Sequence, residues 1–123
     1  MKDTGRRGES IVEKKYLEQG FRLLERNYIF PRGKQTGELD LIFIKQQQLV
    51  FVEVKTRSNS AYGSAFEAVD FFKQRKLVKT AKLYLHLHPA YRDYNYRIDV
   101  AAVDIDNKDN PVIILTNAVE DFD

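Results

Sequence analysis

Charged residues interrupt two neighbouring strand-like segments of this 123-residue chain. Glu38 and Asp40 lie in the apolar run 37–42, and Glu53 and Lys55 lie in the apolar run 49–55. Such side chains are seldom fully buried without a partner, and an isolated buried carboxylate shifts its pKa or binds a cation. The fold must therefore give these charges a partner or a cation.

The two runs predict a β-hairpin, with strands over residues 38–45 and 49–56 separated by three glutamines. A two-residue loop at Gln46 and Gln47 would place Asp40 opposite Glu53, with β-carbons about 5 Å apart. Because alternate residues of a strand share a face, Glu53 and Lys55 are predicted on one face together with Phe51. By the same rule Asp40 should share a face with Glu38, Ile42 and Ile44.

The other segments complete an α/β pattern. They predict a helix over about 9–19, a strand over 21–30, a polar loop over 57–64, a long amphipathic helix over 65–86 and strands over 96–104 and 111–116. Ser10 or Thr4 would cap the first helix, and Pro89 would close the long one. We expect one domain over 1–123, with an ordered core at about 8–117, an acidic tail at 118–123, and a mixed five-stranded sheet flanked by helices.

Composition excludes several classes of protein. The chain has no cysteine, so disulfides, thiolate zinc sites and a cysteine nucleophile are ruled out, and any metal would have oxygen or imidazole ligands. No apolar run approaches the roughly 20 residues of a membrane span, and the basic N-terminus lacks the apolar core of a signal peptide. We expect a cytoplasmic protein with no membrane partner.

Two carboxylates facing each other in a sheet repel, so a cation should lie between them. Mg²⁺ or Mn²⁺ fits, because Mg²⁺ takes one or two carboxylates and keeps several waters. Such an ion polarises a phosphate oxygen and lowers the pKa of a bound water. Lys55 would orient or deprotonate that water, or neutralise charge on the phosphate. A further acid from the first helix, Glu9 before Glu13, could complete the site.

The same residues carry a family resemblance. Asp40 followed by Glu53-Val54-Lys55 resembles the PD-(D/E)xK nuclease signature, with Leu39 where the motif has proline. Over residues 8–103 the chain resembles the small bacterial YraN family, at Gly8-Glu9, Tyr16-Leu17, Gly20, Asn27, 37–42, 50–57, Gly63, Lys73, Ala81, Tyr84-Leu85 and 97–100. The resemblance implies a restriction-endonuclease-like three-layer fold, similarity to archaeal Holliday-junction resolvases, and a site built from Glu9, Asp40, Glu53 and Lys55.

Basic residues outside the hairpin indicate where nucleic acid would bind. A net charge of +2 permits such binding without arguing for it. The candidates are Arg57 and Tyr62 in the loop after Lys55, and Lys73, Arg75, Lys79 and Lys82 on the long helix. His86 and His88 are predicted at the surface or core edge rather than at a metal, and Arg97 with Asp99 is predicted to be a structural ion pair.

Two hypotheses follow from these features. The first is a Mg²⁺- or Mn²⁺-dependent endonuclease that cuts DNA, with branched or junction DNA as a candidate substrate. The second is a non-catalytic nucleic-acid-binding or protein-interaction module that keeps the nuclease fold. A homodimer would present two sites to the two strands of a junction.

Overall fold

The computed structural model describes residues 2–30, 37–57 and 62–120 as three helices, a 3₁₀ turn and one five-stranded sheet. The helices are α1 (Lys2–Glu18), α2 (Tyr62–Glu67) and α3 (Phe71–Leu87), and the 3₁₀ turn is Pro89–Tyr91. The strands are β1 (Arg22–Phe30), β2 (Gly37–Lys45), β3 (Gln48–Arg57), β4 (Asn95–Asp104) and β5 (Val112–Leu115).

The strands lie in the order in which they occur in the chain, β1 to β5. Strands β3 and β4 pair in parallel, whereas the other three neighbouring pairs are antiparallel. A parallel pair needs a crossover connection, which α2 and α3 supply here. The predicted mixed five-stranded sheet is therefore confirmed.

Each face of the sheet is covered by a helix. On one face α3 packs on strand residues to form the α3-side core, which includes Leu39, Ile42, Ile44, Leu49, Phe51, Ile98, Leu77, Val78, Ala81 and Tyr84. On the other face α1 forms the α1-side core, which includes Val12, Tyr16, Leu41, Phe43, Val50, Val52, Ala101 and Val103. The three-layer α/β arrangement expected from the resemblance is confirmed.

Two predicted helix boundaries are wrong. Helix α1 begins at Lys2, so neither Ser10 nor Thr4 is its N-cap. The predicted helix over 65–86 is two helices, because Asp70 ends the pattern: its extended backbone and side-chain carboxylate, which accepts the Lys73 N–H at 2.9 Å, make it the N-cap of α3. A capping aspartate within an otherwise periodic segment was mistaken for an interior helix residue.

The predicted loop over 57–64 is also shorter than expected. Arg57 is the last residue of β3 and Tyr62 the first of α2, while 58–61 lie outside the described residues. At the C-terminal end the Ala118 N–H donates to the Ile98 carbonyl and Val119 is buried, so packing continues past residue 117. In the part of the chain that the structure describes, no helix has the length and apolar character needed to cross a membrane.

Candidate functional site

The hairpin of β2 and β3 has the predicted register. Its pairs run from Lys45–Gln48 to Leu41–Val52 around the two-residue loop Gln46-Gln47. Gln46 adopts a left-handed conformation with φ 55°, which two-residue hairpin loops require and which an Asn-Gly sequence would have signalled. Asp40 lies one residue beyond the last pair, where continuation of the register would bring it to Glu53.

Strict alternation fails at Asp40. Leu39 packs in the α3-side core with Ile42, three residues later, whereas an alternating strand would put them on opposite faces. The neighbouring strand β1 is irregular at the same level. Asn27 lies between the β1 residues that pair with Leu41 and Leu39, and its φ of 49° is in the left-handed region. The prediction that Asp40 shares one regular face with Ile42 is therefore wrong: Asp40 lies at a local distortion of the sheet.

Glu53 is the buried acid of the site and has two lysine partners. Only 5% of its side chain is exposed, and its Oε2 lies 3.3 Å from Lys55 Nζ and 3.4 Å from Lys73 Nζ. Lys55 follows two residues later on β3, as predicted. Lys73 comes from the first turn of α3, so this residue, predicted to bind nucleic acid, instead contacts a carboxylate of the hairpin.

Asp40 has an environment that disfavours its charge. Burial, together with the negative charge of Glu53, raises the pKa of Asp40 from an ordinary 3.8 to about 7. The Val54 N–H donates to Asp40 Oδ2 at 2.8 Å and opposes that rise. Glu9 and Glu38 raise the pKa further. We call these four residues, Glu9, Glu38, Asp40 and Glu53, the acidic cluster.

Glu9 reaches the acidic cluster from α1, on the opposite side of the sheet from Lys73. Burial raises the pKa of Glu9, a hydrogen bond from the Asn27 side chain lowers it in part, and Glu38 and Glu53 raise it again. Glu13, the second candidate, points elsewhere, because its two carboxylate oxygens accept from Arg26 at 2.7 and 2.8 Å. Of the two helix acids, Glu9 is the one near the hairpin carboxylates.

A tight packing contact fixes the position of Glu9. The preceding residue, Gly8, lies so close to β3 that an added β-carbon would overlap Thr56 Oγ1. Further along α1, the buried Tyr16 hydroxyl donates to Asp99 Oδ2 at 2.6 Å. Arg97 and the Asn117 N–H also bond to Asp99, which confirms the predicted structural ion pair. These contacts attach α1 to the sheet at two points, Gly8 and Tyr16.

The donor chemistry of the acidic cluster fits Mg²⁺ or Mn²⁺. Asp40 and Glu53 supply hard carboxylate oxygens, and their mutual repulsion is the kind that a divalent cation relieves. Among the described residues, no three acidic or imidazole side chains converge closely enough to enclose an ion. The arrangement therefore suits an ion held by the two hairpin carboxylates and water, with Glu9 acting at longer range.

Residues 8–103 match the profile of the uncharacterised protein family UPF0102. The match covers most of the chain. The chain belongs to this family, which is the YraN family that its motifs resemble. The matched region contains the whole acidic cluster, both of its lysines and Asn27.

Curated members of UPF0102 are similar over most of their length. A UPF0102 protein of Stutzerimonas stutzeri is 37% identical over 117 residues, which cover 95% of this chain and 94% of the relative. A UPF0102 protein of Pseudomonas syringae pv. syringae is 41% identical over 82% of this chain and 79% of the relative. One from Caldanaerobacter subterraneus is 39% identical over 83% and 80%. These names give the family and no activity.

The remaining predicted nucleic-acid residues lie in two places. Arg75 and Lys79 are exposed on α3, and Lys82 is half-buried there. Arg57 is a half-buried strand residue whose Nη1 donates to the Thr56 carbonyl at 3.3 Å, and it is not in a loop. The Tyr62 side chain lies outside what the structure describes. His88 stacks on Tyr84 at 3.9 Å between ring centroids and His86 is exposed, which confirms the predicted location of both at the surface or core edge.

The sequence did not predict Asn27 as a candidate, and it gave Lys73 a different role, that of binding nucleic acid. Asn27 supports Glu9, and Lys73 pairs with Glu53. The tolerance of asparagine for the left-handed region was the available signal for Asn27, but an asparagine within a strand pattern has many other roles. For Lys73 the signal was masked by its place in a basic segment.

Proposed function

We propose that this protein is a metal-dependent endonuclease that hydrolyses phosphodiester bonds in DNA. The observation that carries the proposal is the juxtaposition of Asp40 and Glu53, with Lys55 Nζ 3.3 Å from the Glu53 carboxylate. Two carboxylates that destabilise each other and an adjoining ammonium group are the components that cation-assisted phosphate chemistry needs. Family membership is compatible with this activity and does not specify it.

Each side chain has a role in this proposal. Asp40 and Glu53 would hold Mg²⁺ or Mn²⁺. Such an ion, when bound, would polarise a phosphate oxygen and lower the pKa of a water. Lys55 places its ammonium group beside Glu53, where it can neutralise charge that develops on the phosphate. Lys73 places a second ammonium group beside Glu53, in addition to that of Lys55. Glu9 adds negative charge that favours cation binding.

A DNA substrate is favoured by the surface beside the acidic cluster. Arg75, Lys76 and Lys79 are exposed on α3, the helix whose first turn carries Lys73. Cationic side chains along a helix attract the phosphate backbone without reading sequence. They would hold a strand next to Glu53, the residue that Lys73 contacts.

A cleavage assay tests the proposal on duplex, single-stranded and four-way branched DNA with Mg²⁺ or Mn²⁺. The wild type should cut at least one of these substrates, and EDTA should stop the reaction. Glu53→Gln and Lys55→Met should each lower the rate roughly 100-fold or more, because the first removes a carboxylate that would hold the cation and the second removes the positive charge beside the phosphate. Glu18→Gln, an exposed acid at the far end of α1, should leave the rate unchanged.

The contrary result is binding without cleavage. If wild type, Glu53→Gln and Lys55→Met bind each DNA equally and none cuts it with either metal, the enzyme proposal is wrong. The protein would then be a nucleic-acid-binding module whose lysines neutralise Glu53 for structural reasons.

A further inference from the structure

Two neighbouring phenylalanines at the start of α3 are exposed. Phe72 is 81% exposed and Phe71 is 52% exposed. Large apolar side chains exposed singly are ordinary, but an adjacent aromatic pair forms a patch that folding does not account for. The buried residues of α3 begin at Leu77, so the first turn of the helix contributes no buried side chain to the core. We call Phe71 and Phe72 the aromatic pair.

The aromatic pair lies in the helical turn that also carries a lysine contact to the acidic cluster. Lys73 follows Phe72 in the same helical turn, and its Nζ lies 3.4 Å from Glu53 Oε2. A ligand bound at Glu53 would therefore lie next to the turn of α3 that carries Phe72.

Positive charge follows the aromatic pair along α3, whereas the exposed Asp70 precedes it. The Arg75 guanidinium lies over the Phe71 ring, 5.7 Å from its centroid, and Lys76 is exposed one residue further along the helix. Aromatic rings interleaved with cations are typical of sites for single-stranded nucleic acid, where bases stack on the rings and phosphates contact the cations. An apolar protein partner would bury the rings but would have no use for the cations.

We propose that Phe72, supported by Phe71, stacks on an unpaired nucleobase of a DNA strand whose backbone passes the acidic cluster. In an intact duplex both faces of every base are covered by neighbouring bases. A free face occurs at a flap, bulge, single-stranded region or branch point. The substrate class is therefore DNA with unpaired bases next to the cleaved bond. This inference rests on the proposed function.

Binding measured without metal separates this inference from catalysis. The probe is an oligonucleotide with 2-aminopurine at an unpaired position, compared with the same strand in a perfect duplex, in EDTA. Wild-type protein should quench the unpaired 2-aminopurine by stacking. Phe72→Ala should lose the quenching and bind this DNA about tenfold more weakly, with duplex binding unchanged. Phe72→Trp should retain both properties because it retains an aromatic face.

Leu87→Ala is the matched control. Leu87 is 42% exposed at the other end of the same helix, about 22 Å away at 1.5 Å per residue. This variant should bind and quench like wild type. Circular dichroism of each variant checks that α3 is intact.

Three results would overturn the inference. If Phe72→Ala binds both DNAs as wild type does, or loses affinity for both equally, stacking on an unpaired base is excluded. If wild type is a dimer and Phe72→Ala a monomer in sedimentation velocity, and the variant still quenches, the aromatic pair is an interface between copies of the chain. Wild type that binds neither DNA in EDTA would also overturn the inference. All three results leave the proposed function standing, because the cleavage assay with metal tests that function separately.

Discussion

The surroundings of Asp40 disfavour the ionised form of its side chain. Its pKa is raised to about 7, chiefly by burial and then by Glu53. In the unfolded chain it ionises near 4, so between about pH 4 and 7 the unfolded state holds fewer protons than the folded state. Stability contributed by this residue is therefore greatest at low pH and falls as pH rises toward 7.

Asp40→Asn should stabilise the metal-free protein at neutral pH. Asparagine can accept the Val54 N–H as Asp40 does but carries no charge to bury. We expect a gain on the order of 1–3 kcal/mol at pH 8 that disappears near pH 4, measured by urea denaturation in EDTA. Asp93→Asn, at an exposed turn, serves as the control. A variant that is less stable than wild type at pH 8 would contradict the description of Asp40 as a destabilised anion.

At the scale of the element, the position of α1 determines whether Glu9 reaches the acidic cluster. Gly8 packs on β3 with no room for a side chain, whereas an added β-carbon at Gly5 would meet nothing within 4 Å. The two glycines lie one turn apart on the same helix. They therefore form a natural pair for testing close packing against general helix propensity.

Gly8→Ala should displace α1 and with it Glu9, because the new methyl group overlaps Thr56 Oγ1. We expect DNA cleavage to fall on the order of 100-fold, the effect of about 1 Å of misplacement at a reacting centre. Gly5→Ala should keep full activity and gain roughly 0.5–1 kcal/mol of stability from helix propensity. The double variant Gly8→Ala/Thr56→Ala should recover activity. Full activity in Gly8→Ala alone would show that the contact does not position the site.

The same elements show what the sequence could and could not predict. The hairpin register followed from a two-residue loop, and the apolar positions of both strands then had only one consistent pairing. The distortion at Asp40 was not predictable, because nothing in the spacing of β2 marks it and the left-handed Asn27 at the same level lies on another strand. The break between α2 and α3 was missed because Asp70 caps a helix inside a continuous helical pattern.

At the scale of the molecule, the sheet brings side chains from both of its faces to one place. Glu9 arrives from α1 and Lys73 from α3, and neither lies on the hairpin that carries Asp40 and Glu53. Sequence spacing could predict the hairpin residues because they are local to one pair of strands. It could not predict the Lys73 contact, which depends on how the crossover helix packs against the sheet.

The distribution of charge over the molecule is consistent with this organisation. The net charge is only +2, yet four of the 18 acidic residues lie together in the acidic cluster, while exposed cations follow α3. A divalent ion would be attracted to the first region and a phosphate backbone to the second. Both attractions are required of a nuclease, and the metal site is the part that can be measured without any DNA.

In the proposed function Asp40 and Glu53 together bind a divalent cation, and electron paramagnetic resonance of Mn²⁺ measures that binding without DNA. Wild type at pH 8 should bind one Mn²⁺ per chain, and binding should weaken as pH falls through about 7 because Asp40 takes up a proton. Asp40→Asn and Glu53→Gln should each abolish it, and Glu18→Gln should not change it. Wild type that binds no Mn²⁺, or Asp40→Asn and Glu53→Gln that bind it as wild type does, would contradict the claim.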